Sequence, residues 1–173
     1  MNKHTAIVIA CSIVISSTIG YSILNLILVD SLQFRGAKGE EFNLISMAYG
    51  GQMQVCNPIF LPVTFKKYQI DLIYLNEIVG TYFVDGLTLA PSSSQVVKGK
   101  FEAESIPVAG ITSLALDTEL QGRDVGRVDA KQFSVITRTE IGIMDFIPYS
   151  ITKQYPGDVF YDLMNKRADE FAC

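Results

Sequence analysis

One histidine, three cysteines and 18 carboxylates are the side chains in this sequence that could carry acid–base, nucleophilic or metal chemistry. A Ser-His-Asp or Cys-His arrangement needs an imidazole held as base beside its nucleophile. The single histidine, His4, stands in the N-terminal tail, ahead of a long apolar run, so it is badly placed for that role. Metal sites built from His and Cys fail on the same ground, and no Cys-x-x-Cys occurs. Asp117, Glu119, Asp124 and Asp129 are spread along one stretch without the spacing of an EF-hand loop. No glycine-rich phosphate loop ending in Lys-Ser/Thr is present. Asp71, Glu77, Asp85 and Glu140 could supply a general acid and a general base. They fall in strand-like segments, where such carboxylates are expected on a solvated face. The expectation is no catalytic residue, no cofactor and no metal.

The cysteines are Cys11, Cys56 and Cys173. Cys11 lies inside the apolar run, so only Cys56 and Cys173 could bridge within the rest of the chain. Two unpaired thiols are the simpler expectation. All 18 acidic residues, and every basic residue except Lys3, follow the apolar run. That portion is mildly acidic and has no cluster of Lys or Arg. Nucleic-acid binding therefore has no electrostatic footprint, and attraction to anionic lipid heads is unsupported.

Whatever these groups do, a membrane segment positions them. Ala6 to Val29 carries no charged side chain and is mostly Ile, Val, Leu and Ala. As a helix this stretch rises about 36 Å, enough to cross a hydrocarbon core of about 30 Å with some tilt. A cleaved signal peptide would have a shorter apolar region and a small-residue cleavage site. Val8-Ile9-Ala10-Cys11 looks like a lipobox, but cleavage there would leave a long apolar tail. An uncleaved signal anchor over residues 1–30 fits better. Ser12, Ser16 and Gly20 form a small-residue stripe that would admit a second helix. Ser and Thr can return their hydroxyls to carbonyls one turn earlier, whereas Asn25 cannot hide so easily. Lys3 and His4 on one flank, against Arg35 and Lys38 on the other, hardly decide orientation by the positive-inside rule. A short head before a long apolar run places the tail inside and the domain outside the cytoplasm.

Residues 31–41, with two glycines, read as a linker. Strand patterns then follow. Leu44, Ser46, Ala48, Met53 and Val55 alternate, interrupted by Gly50-Gly51, and Asn57-Pro58 ends the strand because proline has no amide hydrogen for a ladder. The Asn57 side chain is expected to bond the backbone of the following turn. Phe65 to Leu75 puts Tyr68, Ile70, Leu72 and Tyr74 on one face. Asn76-Glu77 reads as the turn of a hairpin returning through Ile78 to Val84. Leu87–Ala90 leads to a turn at Pro91–Ser94, and Gln95 to Ser105 is another strand. Pro107 to Leu120 has helical spacing, and Gly122 to Gly126 turns the chain. Gln132–Ile143 and Ile147–Tyr155 are the last strands. Asp158 is a candidate N-cap for a helix whose apolar side is Phe160, Leu163, Met164 and Phe171. Tyr68, Tyr74, Tyr82, Phe83 and Phe101 are expected mostly in the core. The fold class is mainly β: an antiparallel β-sandwich over 42–155, with a short helix and a C-terminal amphipathic helix over 156–173.

The order of these signals has a known counterpart. Val55-Cys56-Asn57-Pro58 closes a strand. Tyr68-Gln69-Ile70-Asp71-Leu72-Ile73-Tyr74-Leu75 follows, then Ile78-Val79-Gly80-Thr81-Tyr82-Phe83-Val84-Asp85-Gly86. A Pro/Ser turn at Pro91–Ser94 precedes Gln95-Val96-Val97-Lys98-Gly99-Lys100-Phe101. The series, over roughly residues 42–155, resembles the late-embryogenesis-abundant (LEA) type 2 domain, also called the water stress and hypersensitive response (WHy) domain. Cys56 before Asn57, Gly50-Gly51 in the first strand and the C-terminal helix depart from that pattern. The resemblance implies a sandwich of immunoglobulin-like architecture. It also implies a non-catalytic role in stress tolerance, or in contacts with proteins or lipids. Two other readings stand beside it: an accessory subunit of a membrane complex, packed through Ser12, Ser16 and Gly20, and a lipid-binding domain with an apolar groove.

Overall fold

The computed structural model describes residues 3–37, 41–104, 132–143, 147–166 and 173. The expected helix at 107–120, the turn at 122–126, the acidic residues Asp117, Glu119, Asp124 and Asp129, and Phe171 lie outside them.

The apolar run forms one helix, α1 (Lys3–Val29). Ser17 and Thr18 donate their hydroxyls to the Val14 carbonyl at 2.9 and 2.8 Å, which hides their polarity inside the helix. Its N-terminal turns are exposed. Ser22, Asn25 and Val29 fall on one face and are buried against the domain. Val29 and Leu32 join the hydrophobic core. The C-terminal end of α1 thus belongs to the fold, and the boundary expected at residue 30 does not separate two independent parts. The expected linker also contains structure: β1 (Gln33–Gly36) pairs antiparallel with β2 (Gln52–Asn57).

The alternation before Gly50 does not become a strand. Leu44–Ala48 is a short helix, α2. Asn43 Oδ1 accepts the Ser46 N–H at 2.8 Å, and Ser46 Oγ accepts the Asn43 N–H at 2.9 Å, a reciprocal cap. The helix ends in a Schellman arrangement. Gly50 N–H donates to Met47 O and Gly51 N–H to Ser46 O, with Gly50 at φ 70°. These local bonds outweigh a period-2 pattern only five residues long.

β3 (Val63–Tyr74) and β4 (Glu77–Leu89) form the long central hairpin. Tyr74 pairs with Glu77, so the turn is Leu75-Asn76, one residue earlier than expected. Both turn residues have positive φ (53° and 65°), as a right-twisted two-residue hairpin requires. The strand expected from Gln95 to Ser105 is divided at Gly99 into β5 (Ser93–Lys98) and β6 (Lys100–Ala103). The two halves enter different sheets. A Cβ on Gly99 would lie 2.0 Å from the Tyr82 ring, so only glycine lets the chain cross there. β7 (Phe133–Ile143) and β8 (Ile147–Pro156) complete the strands among the described residues. Helix α3 (Gly157–Met164) follows directly. Its N-cap position is held by Pro156; Asp158, the expected cap, sits in the first turn and accepts its neighbour's N–H.

The strands make two antiparallel sheets, β1-β2-β5 and β6-β4-β3-β7-β8. Met53 and Val55 of the first meet Ile70, Leu72, Tyr82, Val84 and Val135 of the second in a sandwich core. Phe160 and Met164 of α3 close it at the β7–β8 side. The expected core aromatics divide by strand alternation. Tyr68 and Tyr82 are buried, and Tyr74 and Phe101 are half-buried. Phe83 points to the outer face, where the Lys67 and Lys100 ammonium groups lie 4.6 and 5.9 Å from its ring centre.

Candidate functional site

His4 sits in the first turns of α1, about 30 Å of helix from Asn25. The four candidate carboxylates do not converge. Asp85 and Glu140 flank Lys67 on either side of β3, which separates them by two strand spacings, about 10 Å. Asp85 also pairs with Lys100 at 3.3 Å. Glu77 is at the far hairpin. Asp71 is four residues along β3 from Lys67, and it is buried rather than solvated. Its Oδ1 accepts from Gln69 Nε2 (2.7 Å) and Thr81 Oγ1 (2.9 Å). Its Oδ2 lies 3.0 Å from Arg138 Nη1, an ion pair outside hydrogen-bond geometry. Among the described residues, no three His, Cys, Asp or Glu side chains gather as a metal would need.

Cys56 and Cys173, expected as separate thiols, are joined as a disulfide with Cα atoms 6.0 Å apart, across 117 residues of chain. Cys11 is free and exposed on α1. Ser12, Ser16 and Gly20 also line the exposed part of α1, and nothing lies within 4 Å of a Cβ built on Gly20.

Asn57 lies at the exit of β2, fully buried. Its Nδ2 donates to Leu61 O (2.8 Å) and Ala90 O (3.0 Å), and its Oδ1 accepts from the Ile59 N–H (3.1 Å). One carboxamide thereby fixes two loops, and Pro58 stiffens the first. Two further asparagines do similar work. Asn25 Nδ2 donates to Thr64 O at 2.8 Å while its Oδ1 accepts the Thr64 N–H at 2.9 Å. Asn165, at the end of α3, bonds both the N–H and the carbonyl of Phe42, at 2.9 and 3.0 Å. Asn25 carried a signal in the sequence, as the polar residue an apolar run could not conceal. Asn165 carried none.

A groove of about 250 Å³ opens beside this assembly. The three-stranded sheet leaves the inner face of β7 and β8 to the end of α1 and to α3. Val29, Phe34, Ile151 and Leu163 supply apolar walls, and Tyr68, Thr137 and Thr139 supply hydroxyls. Phe34 stacks on Tyr68 with ring centres 3.8 Å apart. Burial, and then the neighbouring Tyr155, push the Tyr68 phenol well above the usual tyrosine range; a hydrogen bond with Thr137 acts the other way. Tyr68 is therefore a neutral hydroxyl under ordinary conditions. Lys153 and Asp30 pair at 2.7 Å on the rim, joining β8 to the end of α1. Small-molecule sites usually span about 300–1,000 Å³. This groove fits a short apolar chain or one side chain of a partner. No protein-family model matches this chain, and no curated protein matches it significantly.

Proposed function

We propose that the protein is a membrane-tethered, non-catalytic β-sandwich that acts by contact with other proteins, in the stress-protective or interaction role that the LEA type 2/WHy resemblance implies. The observation that carries this reading is the junction of α1 with the sandwich. The exposed apolar turns of α1 run directly into a buried face held by Asn25 and Thr64. A domain built onto its anchor is kept at the membrane and presents a fixed surface there. The disulfide supports a place outside the cytoplasm, since such bonds persist in oxidising compartments.

The test uses the full chain in phosphatidylcholine nanodiscs, added near-stoichiometrically to a labile enzyme during freeze–thaw without nucleotide. It should slow aggregation more than empty nanodiscs, or discs bearing an unrelated acidic β-sandwich. Equal protection by that control would make the effect generic crowding. The accessory-subunit reading would then lead, and it predicts stoichiometric partners on extraction in mild detergent. The groove favours a second reading, a lipid-handling domain, because its apolar walls adjoin the end of α1. Lipid retained by the extracted protein, detected by mass spectrometry and lost in Leu163→Lys, would support it.

A further inference from the structure

The two ends of the sandwich differ, and α1 identifies which end faces the membrane. Asn25 bonds Thr64, at the start of β3. Asp30 pairs with Lys153, which lies opposite Thr137 and hence level with Ile70. Helix α1 therefore runs in the same sense as β3, and its exposed apolar turns extend back past the start of that strand. Residues 58–62, the loop before β3, lie on that side. Asn57 holds this loop, and Ser92 N–H donates to Ile59 O at 2.8 Å, tying it to the β4–β5 turn. The adjoining ends of β7 and β8, Ile143 and Ile147, are at the same end. Glu140 pairs with Lys67, and β7 continues three residues further, to Ile143, opposite Ile147.

The chemistry of this end is unusual for a water-facing surface. Phe60 is 78% exposed at the tip of a Pro-Ile-Phe-Leu-Pro loop, and Ile147 and Tyr149 are exposed on β8. From Gln54 to Phe65, and again from Gly86 to Val97, the chain has no Asp, Glu, Lys, Arg or His. The opposite end, about 33 Å away along β3, exposes Leu75 beside Glu77. Ala6 to Leu24, the part of α1 before Asn25, rises about 28 Å, close to the thickness of a hydrocarbon core. Asn25 then lies at the boundary with water, and the loop before Thr64 lies level with the last turn in the bilayer. The aromatic and apolar loop at 58–62, which carries no charge, suits that interfacial layer.

We propose that this end of the sandwich is a second membrane contact, with Phe60, Ile147 and Tyr149 seated in the interfacial layer of the leaflet from which α1 emerges. The proposal rests on the reading of α1 as a membrane span. The sequence has no tryptophan, so Phe60→Trp places a lone reporter on the loop. Tyr21→Trp, one turn before Asn25, reports the span, and Leu75→Trp reports the far end. Each full-length variant is reconstituted in phosphatidylcholine vesicles, with and without lipid bearing a nitroxide on the acyl chain near the headgroup. The Phe60→Trp and Tyr21→Trp reporters should both lose most of their emission, and Leu75→Trp should keep it. Quenching of Tyr21→Trp without Phe60→Trp would overturn the second contact and leave the span standing. If neither is quenched, the span fails and the proposal with it. A blue-shifted but unquenched Phe60→Trp would mean that protein, such as a second copy, covers the loop; that too overturns the proposal. Equal quenching at Leu75→Trp would mean the domain lies flat, against the end-on seating.

Discussion

Cutting the Cys56–Cys173 bond should be the most costly change that leaves the packing of the domain intact. The two cysteines close a loop of 117 residues. The loop-closure entropy that such a cross-link removes from the unfolded chain corresponds to about 4.9 kcal/mol at room temperature. That is comparable with the whole net stability of many domains, about 5–15 kcal/mol. The choice of partner matters. Cys56 is fully buried, so replacing it adds a packing loss to the lost bond, whereas Cys173 is exposed. Cys173→Ser therefore isolates the cross-link. The assay is urea unfolding of the full chain in a mild non-ionic detergent, followed by the fluorescence of its eight tyrosines. With a slope of about 2 kcal/mol per molar, the midpoint should fall by about 2.4 M. Wild type with dithiothreitol should fall as far, and Cys173→Ser should not respond to the reductant. Alkylation of the denatured, unreduced wild type should label only Cys11. Equal midpoints for variant and wild type, or labelling of all three cysteines, would refute the reasoning.

Gly99→Ala should cost about 1–3 kcal/mol, because its methyl group meets the Tyr82 ring where the chain crosses between sheets; thermal unfolding of the full chain measures it. Arg138→Met should destabilise more than Asp71→Ala. Losing the half-exposed arginine leaves a buried carboxylate unpaired, at about 3–5 kcal/mol; losing the aspartate costs only its hydrogen bonds, about 1–3 kcal/mol, and urea midpoints of the pair decide the order. Burial pushes the Tyr82 phenol up from 10.0 to about 12, against a bond from Gly99 that lowers it, and Tyr68 is raised further in the same direction. A raised folded-state pKa contributes stability that is complete below pH 10 and lost as pH climbs through about 12; Tyr82→Phe should flatten part of that decline in a pH series of melts. A chain starting at Phe34 should aggregate, since it lacks Val29 and Leu32 of the core, together worth about 3–6 kcal/mol, and the Asn25 clamp. A chain starting at Ser22 should stay folded by near-ultraviolet circular dichroism.

The sheets were legible where a period-2 pattern ran long enough to fix inside from outside. Tyr68, Ile70 and Leu72 face the core as their spacing predicts, and Asn57-Pro58 ends its strand as proline chemistry predicts. The misreadings occurred where a local bond or a distant contact overrode a short pattern. Asn43 and Ser46 cap each other and turn five residues that alternate on paper into a helix. Gly99 divides one apparent strand because of a tyrosine seventeen positions earlier, a contact visible only in three dimensions. Gln33–Gly36 is a strand because Met53–Cys56 lies alongside it. Asp71 reads as a surface carboxylate until Arg138, brought alongside by β7, pairs with it. The groove takes walls from α1, β1, β3, β7, β8 and α3, so no single segment carried its signature.

The three asparagines explain how the apolar helix α1 becomes part of a sandwich. A sheet satisfies its own backbone groups along its ladders but not at its ends, where strands enter and leave. Buried N–H and carbonyl groups there need partners. A carboxamide offers both a donor and an acceptor in the geometry of a peptide group. Asn25 uses it to continue the ladder from β3 onto a helix, Asn57 to brace two loops, and Asn165 to hold α3 against the segment before α2. Of these, Asn25 has the largest consequence. An exposed asparagine in an otherwise apolar helix would be costly within a bilayer; on the proposed reading of α1 as a span, the pairing with Thr64 satisfies it where the bilayer would end. On that reading, the same bond that satisfies the amide would set the height of the domain above the lipid. It would also place the uncharged loop led by Phe60 level with the last turn of that span, so that an attachment to the membrane would become an orientation upon it.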